Sequence, residues 1–243
     1  MKPKFSIITC TWNSAATLAK TLESISEQTN GNYEHIFVDG GSTDETLQII
    51  RQYGRAKQII HGVRGGISHA MNVGARAAEG EFISHLHSDD YLSNKEVLQS
   101  VENLLDQSGA GWLVGRTDSL RDGSIVPPLP QRSYTPSRYR SRAFFIAHPA
   151  VYLKKDLFVK AGGFNENLKY AMDIDLWLRL IAIEDPFCCE EALAVFREHP
   201  GSISTAQRRK ARREELVVRL RDKNATNMEK LKSFLRMARH ELF

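Results

Sequence analysis

The chain has 243 residues, of which 42% are hydrophobic and 26% charged, as is usual for a soluble globular protein. This length suits one large domain or a domain with an appendage, and no apolar run reaches the ~18 residues needed to span a bilayer. The three cysteines form neither a disulfide framework nor a zinc motif, which favours a cytosolic protein with reduced thiols. The N-terminal "MKPKFSIITC" lacks a signal-peptide cleavage site and predicts a first buried strand.

Up to about position 120, short β-branched runs alternate with helical patterns. Strands are predicted at "FSIITCT", "EHIFVD", "KQIIH", "EFISHL" and "GWLVGRT", and helices over 14–28, 43–53, 67–78 and 94–106. This alternation predicts an α/β fold with a mostly parallel central sheet and helices on both faces. Ligands of such sheets bind beyond the carboxyl ends of the strands, so the residues after each strand are the candidates for a site.

The alternation breaks between positions 121 and 147, where four of the eight prolines lie. This stretch predicts an ordered loop or a flap rather than a core element. Beyond it we predict a strand at "PAVYL", a helix from Lys155, a helix at "MDIDLWLRLIAIE" and a strand at "FCCEEALAVFRE".

The segment from position 205 to the last residue is basic, with twelve Lys and Arg against five Asp and Glu, although the whole chain carries only +4. It predicts a helical extension of one or two amphipathic helices, separate from a domain over 1–204. The predicted apolar stripe consists of Leu216, Leu220, Leu231, Leu235 and Met237.

Small polar residues end the first strand. Thr9, Thr11 and Asn13 lie there, and Ser14 is placed to cap the next helix, which would leave free amides facing a phosphate or a base. A plain strand-to-helix turn explains the same residues equally well.

The second strand ends at Asp39, followed by Gly40, Gly41 and a helix start at Ser42. A carboxylate here can accept a hydrogen bond from a ribose hydroxyl or a base N–H. Dinucleotide-binding folds also carry an acidic residue at such a position. They require G-x-G-x-x-G after the first strand, however, where this chain has "TCTWNS".

Two pairs of carboxylates follow later in the chain. Asp89 and Asp90, in "SHLHSDDYL", offer hard oxygen ligands suited to Mg²⁺ or Mn²⁺, although an "SDD" turn that caps a helix is the simpler alternative. Asp173 and Asp175 begin a helix, where the helix dipole favours carboxylates. The alternative for Asp173 is a general base over a cleft.

Taken in order, these segments resemble a family 2 glycosyltransferase of the GT-A fold, especially the bacterial enzymes that build lipopolysaccharide, capsule or colanic acid. The resemblance covers about positions 4 to 204. It depends on "FSIITCTWNSAATLAKTLESI", "FVDGGSTDETLQII", "GISHAMNVGARAAEGEFISHLHSDD", "HPAVYLKKDLFVKAGGFNENLKYAMDIDLWLRL" and "FREHPGSIS".

The resemblance implies a role for each matching residue. Asp173 would be the catalytic base, Asp39 would accept a hydrogen bond from the base, commonly uracil, and Asp90 would be a direct metal ligand. The nucleotide-binding set would be Thr9, Thr11, Asn13, Asp39, Ser42 and Asp89; the metal set Asp89, Asp90 and His199, assisted by Arg197; and the residues near donor or acceptor sugar Arg64, Asn72 and His148.

The chain departs from the family pattern at "RGGISHAMN", where Arg64 and His69 replace two residues that are often acidic. This change leaves the sugar open. His148 is equally well explained as a structural residue of its strand, and Trp12 and Trp177 are interpreted as packing residues.

The resemblance therefore predicts a metal-dependent inverting glycosyltransferase that transfers a hexosyl or N-acetylhexosaminyl group. The donor would be a UDP-sugar and the metal Mn²⁺ or Mg²⁺. The acceptor would be a saccharide or a lipid-linked molecule in surface polysaccharide assembly. Two alternatives are a sugar-nucleotidylyltransferase and a nucleotide-binding module without catalysis. The basic extension is interpreted as a solvated hairpin, a homodimer contact or a peripheral anchor at the inner face of the cytoplasmic membrane. Nucleic-acid binding is not expected, because aromatic residues do not alternate with its charges.

Overall fold

The computed structural model describes residues 2–198 and 207–239. The strands within these ranges are β1 (Phe5–Thr11), β2 (Tyr33–Asp39), β3 (Gln58–His61), β4 (Phe82–His85), β5 (Tyr91–Leu92), β6 (Trp112–Arg121), β7 (Ser124–Val126), β8 (Val151–Lys154) and β9 (Phe187–Arg197). The helices are α1 (Ala15–Ser26), α2 (Thr46–Tyr53), α3 (Ile67–Ala77), α4 (Val97–Ser108), α5 (Pro136–Arg140), α6 (Lys155–Lys160), α7 (Met172–Ile181), α8 (Arg208–Arg221) and α9 (Asn227–Arg239), with a 3₁₀ turn at His148–Ala150.

The strands form one sheet in the order β3-β2-β1-β4-β8-β6-β9-β5, with β7 paired to β6. The first four strands of this order are parallel, as the alternating pattern predicts. The other half is mixed, because β8 pairs antiparallel with both β4 and β6, while β6 and β9 are parallel. The parallel half places the ends of β1, β2 and β4 at one edge of the sheet.

Helices cover both faces of the parallel half. Ile8 and Val38 pack with α3 on one face, whereas Phe37 packs with α1 and α2 on the other. Farther along the sheet, Phe5 and Ile7 pack with α4. Side chains of a strand alternate between the two faces, so the apolar runs seen in the sequence are buried on both sides.

The segment 121–147 contains more structure than the predicted loop. A hairpin joins β6 to β7, α5 follows, and Tyr139 and Ile146 are each only 1% exposed. The prediction that this segment contributes no core element is therefore wrong, because one aromatic and one aliphatic residue between its prolines and arginines insert into the core.

The basic segment forms two helices, as predicted, and they pack against α5 and α7. Arg219 donates to the Tyr139 carbonyl oxygen at 2.6 Å and Arg236 to that of Ser141 at 2.5 Å. The predicted apolar stripe is confirmed at Met237, which is buried, but is otherwise wrong in its detail, because Val218 is the other buried apolar residue. Three members of the stripe, Leu220, Leu231 and Leu235, are 40–53% exposed.

Candidate active site

The segments that follow β1, β2 and β4 are joined by direct hydrogen bonds. The Asn13 amide N–H donates to Ser42 Oγ at 2.8 Å, and the side-chain oxygen of Asn13 accepts from the Thr43 N–H at 2.9 Å. The Ser88 hydroxyl donates to Ser14 Oγ at 2.8 Å, so the "HSDD" segment after β4 is linked to the other two. We call these three hydrogen-bonded segments the junction. Asn13 has a φ of 49°, a left-handed conformation that asparagine tolerates better than most residues. Ser14 precedes α1 as predicted, but its hydroxyl is used in this junction rather than as a helix cap.

Asp39 is the centre of this junction. Its Oδ1 accepts from the N–H groups of Gly41 and Ser42, both at 2.9 Å, and its Oδ2 accepts from the hydroxyls of Thr11 at 2.8 Å and Ser42 at 2.5 Å. Burial alone would raise the pKa of Asp39, but the hydrogen bonds from Ser42, Thr11 and Gly41 outweigh it and lower the pKa. His61 Nδ1 lies 2.8 Å from Oδ1, a contact that sequence patterns missed. The carboxylate is therefore held ionised and fixes the loop after β2.

An aromatic ring and a cation border this loop. Trp12 is 70% exposed, and its indole lies beside Gly40, where a Cβ would stand 3.5 Å from the ring. The interpretation of Trp12 as a packing residue is wrong, whereas Trp177 is buried as expected. The Arg64 guanidinium lies against Gly41, which places this exposed residue next to the Asp39 loop.

Thr9 does not line the junction. β1 continues to Thr11, so Thr9 is fully buried within the sheet, where its hydroxyl donates to the Leu86 carbonyl oxygen at 2.7 Å and contacts His35 Nε2 at 2.9 Å. Its predicted place in the nucleotide site is corrected to a structural one between β1 and the end of β4.

Asp89 and Asp90 occupy the turn after β4. Asp90 is 2% exposed and its Oδ1 accepts from the Arg197 N–H at 3.2 Å, while Asp89 is half-buried. Burial, and next the charge of Asp89, raise the pKa of Asp90 well above its usual range. A divalent cation would relieve this repulsion between neighbouring carboxylates, so the residues fit a metal.

A metal here would need further ligands. Within 2–198 and 207–239 no group of three or more His, Cys, Asp or Glu side chains could hold an ion alone. Mg²⁺ is commonly bound by one or two carboxylates together with substrate phosphates, which agrees with a pair such as Asp89 and Asp90. His199, the third predicted ligand, lies outside the described residues.

His148 belongs to an aromatic cluster and is itself partly exposed. Its ring stacks on His87 of the "HSDD" segment, with centroids 5.1 Å apart, and lies 5.9 Å from Trp177 of α7. Burial lowers the pKa of His148 well below its usual range, so the imidazole is neutral. Its Nε2 is buried and has no hydrogen-bond partner among the described residues. The ring contacts support a packing role for His148, while its assignment to a sugar stays a prediction, and the cluster connects the Asp89–Asp90 turn to α7.

Asp173 lies in the first turn of α7, and its Oδ1 accepts from the Ile174 N–H at 2.7 Å. Burial, and to a smaller extent the charge of Glu215, raise the pKa of Asp173 to about 6. A carboxylate with this pKa is ionised at neutral pH and is also a better proton acceptor than an ordinary aspartate, as a general base must be.

Asn72 is engaged inside the protein. Its amide nitrogen donates to the Phe164 carbonyl oxygen at 2.9 Å and to Glu166 Oε1 at 2.8 Å, and its oxygen accepts from the Phe164 N–H at 2.9 Å. The assignment of Asn72 to a sugar is thus corrected to an anchor between α3 and the loop before α7. Glu166 also contacts His69 Nδ1 at 2.9 Å, so a carboxylate that no sequence pattern pointed to lies beside one of the two residues at which the chain departs from the expected pattern.

Comparison with known proteins agrees with this arrangement. The family model "Glycosyl transferase family 2" matches residues 6–159. A PGL/p-HBAD biosynthesis glycosyltransferase of Mycobacterium bovis is 32% identical over 184 residues, which cover 73% of this chain and 69% of that protein. An uncharacterized glycosyltransferase of Rickettsia typhi is 30% identical over 205 residues, and the match spans 81% of this chain but only 64% of the relative's length.

Two kinds of solved structure share the fold. The Staphylococcus aureus TarS 1-349 complex with UDP-GlcNAc superposes with a TM-score of 0.77 at 23% identity, covering 99% of this chain and 73% of that one. A mannosyltransferase from Pyrobaculum calidifontis, in complex with GDP-Man and Mn²⁺, gives a TM-score of 0.72 at 20% identity, covering 99% of this chain and 70% of that one.

The mixed sheet, with its polar junction at the ends of β1, β2 and β4, defines a GT-A type α/β domain. Within that class the particular family follows from the matched residues. The chain belongs to glycosyl transferase family 2.

Proposed function

We propose that this protein is an inverting glycosyltransferase that moves a sugar from a nucleotide-diphosphate sugar, with a UDP-sugar as the expected donor, to a hydroxyl of a saccharide or lipid-linked acceptor. The observation that carries the proposal is the hydrogen-bonded junction after β1, β2 and β4. It brings the Asp39 loop and the Asp89–Asp90 turn to one edge of the sheet, where ligands of such sheets bind.

The Asp39 loop would hold the nucleotide. Asp39 is ionised and buried and would orient this loop through its hydrogen bonds, Trp12 presents an exposed ring on which a base can stack, and Arg64 adds a positive charge nearby. UDP is the expected nucleotide, since the TarS structures contain UDP or UDP-GlcNAc, although the mannosyltransferase contains GDP-Man.

Asp89 and Asp90 would hold Mn²⁺ or Mg²⁺, with His199 as a further ligand. A divalent cation bound there supplies charge stabilisation to the departing diphosphate. The turn is held in place by the Ser88–Ser14 hydrogen bond and by the backbone of Arg197 against Asp90.

Asp173 would accept the proton of the acceptor hydroxyl as that oxygen attacks C1 of the donor sugar. The bond from C1 to the diphosphate breaks as the new glycosidic bond forms, and a single displacement of this kind inverts the anomeric centre. General-base catalysis of this type contributes typically about 10²–10⁴-fold to the rate.

The place of the reaction is part of the proposal. We expect the acceptor to belong to surface polysaccharide assembly, as the sequence resemblance implies, and one relative is likewise named for a biosynthetic pathway, PGL/p-HBAD biosynthesis. The described residues include no helix with the length and hydropathy of a membrane span. Location in the cytoplasm, at the inner face of the membrane, and self-association into a homodimer remain expectations from the sequence.

A thermal-shift panel tests the donor site. UDP, GDP, dTDP and CDP would each be added with and without Mn²⁺ to wild type, Asp39→Asn, Asp90→Asn and the control Glu190→Gln, whose side chain is 96% exposed. A ligand at 100 times its Kd stabilises the folded state by about 2.7 kcal/mol. We expect Mn²⁺-dependent stabilisation by UDP that Asp39→Asn and Asp90→Asn both reduce and the control retains.

Other results of the panel would be equally informative. Stabilisation by another nucleotide would change the donor, and stabilisation that Asp90→Asn leaves intact would remove the metal assignment. If the nucleotide binds but wild type shows no transfer, so that Asp173→Asn has no rate to change, the chain is a binding module rather than this enzyme.

A further inference from the structure

We propose that helix α8 of the basic segment is a positioning element for the transfer reaction, in which Glu214 fixes the start of α7 and Glu215 faces the base that α7 carries. The inference rests on the proposed role of Asp173. It assigns a function to a part of the chain beyond residues 6–159, the part that the family model matches.

Glu214 closes the N-terminus of α7. Its Oε2 accepts from the Tyr170 N–H at 2.5 Å and the Ala171 N–H at 2.8 Å, and both of its oxygens lie 3.1 Å from the Lys169 nitrogen. The first N–H groups at the start of a helix lack partners within the helix. Ala171 occupies the capping position but has no side chain able to cap, and a carboxylate 43 residues farther along the chain accepts from its N–H and from those of the two residues before it.

The position of Glu214 also suits the charge of the helix end. A carboxylate at a helix N-terminus is favoured by the helix dipole. On α7 itself, Arg179 donates to Asp175 Oδ2 at 2.7 Å and to the Gly163 carbonyl oxygen at 2.7 Å. The turn that carries Asp173 is thus held by α8 through Glu214 and by the preceding loop through Arg179.

Glu215, the next residue of α8, belongs to a buried ionic group. Its Oε1 accepts from Arg142 Nε at 3.0 Å and from Arg219 Nε at 2.8 Å, and the Arg219 side chain is 1% exposed. The Arg219 guanidinium lies 5.0 Å from the centroid of the Tyr139 ring. Among the described residues, Asp173 interacts electrostatically with Glu215 and Arg219 of α8 and with Tyr139 of α5.

The charges around Asp173 act in opposite directions. Burial, and then Glu215, raise the pKa of Asp173, whereas Arg219 lowers it. Neutralising Glu215 removes a like charge and also leaves Arg219 less compensated. Both changes lower the pKa of Asp173, so its titration moves to lower pH.

The test uses Glu214→Gln, Glu215→Gln, Asp173→Asn and the exposed control Glu190→Gln. Two readouts are compared: UDP release from UDP-GlcNAc with water as acceptor, and NMR titration of ¹³C-labelled aspartate, with the Asp173 signal assigned from Asp173→Asn. We expect Glu215→Gln to move the Asp173 titration to lower pH, and Glu214→Gln to lower kcat by roughly 10–100-fold with the KM for UDP-GlcNAc unchanged.

The NMR readout needs no donor, so it remains decisive if UDP-GlcNAc is not turned over or if Glu214→Gln does not fold. An Asp173 titration in Glu215→Gln that superposes on wild type would overturn the inference, as would a wild-type kcat in Glu214→Gln. If wild type releases UDP and Asp173→Asn releases it at the same rate, the base assignment fails, and the inference fails with it. If only Asp173→Asn is inactive and the two α8 variants behave as wild type, the proposed function stands and the inference alone is refuted.

Discussion

At the scale of single residues, the raised pKa of Asp173 leads to opposite predictions for activity and stability. Asp173→Asn should lower transfer by about 10²–10⁴-fold, because the proton acceptor is lost. The wild-type kcat/KM should fall as pH drops through about 6, the pKa of this group, as the base becomes protonated. A pH–rate profile of wild type, beside the rate of the variant at neutral pH, measures both.

The same residue should weaken the fold at neutral pH. Its pKa in the folded state, about 6, lies above the ordinary 3.8, so the folded protein binds this proton more tightly than the unfolded chain does. Stability from this group is therefore lost as pH rises between these two values. Asp173→Asn should melt at a higher temperature than wild type at pH 7 but not at pH 4, and a lower melting temperature at pH 7 would contradict the raised pKa.

The residues that sequence reasoning located are those whose position follows from a strand or helix end. Asp39, Asp90 and Asp173 lie at or just beyond such ends, where the rule for parallel sheets directs attention. Asn72 and His148 could not be resolved in this way, because their partners are distant in the chain or stack from another loop. Trp12 could have been found, since an aromatic residue between Thr11 and Asn13 at a strand end has no apolar neighbour to pack with.

At the scale of elements, the approach of α3 to the sheet depends on one glycine. A Cβ at Gly74 would overlap the Ile8 side chain of β1 and lie 3.1 Å from Val38 Cγ2 of β2. Gly74→Ala should therefore destabilise the protein by about 1–3 kcal/mol despite the better helix propensity of alanine, because the core is overpacked. Chemical denaturation measures this change.

Gly31→Ala is the matched control, because nothing lies within 4 Å of a Cβ at that position. We expect its free energy of unfolding to stay within about 0.5 kcal/mol of wild type, as is usual for surface substitutions. Equal effects of the two substitutions would show that α3 can move away from the sheet without cost.

Strands and helices with strong periodicity were predictable, and the 121–147 segment was not. The bounds of β1, β2, β3 and α7 agree with the patterns to within a few residues. The hairpin of β6 and β7 escaped because β7 has only three residues, and the short helix α5 escaped because proline and arginine dominate its sequence, PSRYR. Tyr139 is buried in the apolar core, and its contacts include Arg219, which lies 80 residues away.

At the scale of the whole molecule, the basic segment is attached to the catalytic domain rather than appended to it. Arg140 lies 3.4 Å from Asp222 with both side chains largely buried, and Glu214 binds the start of α7. The surplus of positive charge predicted a helical extension correctly but said nothing about these contacts, because a charge count cannot distinguish buried ionic partners from solvated ones. A boundary at position 204 remains a prediction.

The outer side of this hairpin gives the last prediction. On α9, Leu231, Phe234 and Leu235 are spaced for one helix face and are 48–53% exposed, within a segment rich in Lys and Arg. Apolar residues flanked by positive charge suit an anionic lipid surface. We expect the protein to co-sediment with vesicles of phosphatidylcholine and phosphatidylglycerol, but not with phosphatidylcholine alone, and to be released by salt, because electrostatic attraction is screened.

The double variant Phe234→Ser with Leu235→Ser should lose this binding at any salt concentration, whereas Ile125→Ser, an exposed apolar residue on β7, should retain it. Both variants should keep the melting temperature of wild type, since the replaced side chains are about half exposed. The alternative is that this face is a contact between two copies of the chain, and sedimentation velocity without lipid tests it. In that case the protein should form concentration-dependent dimers that Phe234→Ser with Leu235→Ser abolishes, and it should bind neither vesicle. Membrane association requires that no such dimers form and that the anionic vesicles are bound, because a face covered by a second copy would not be free to enter the lipid surface.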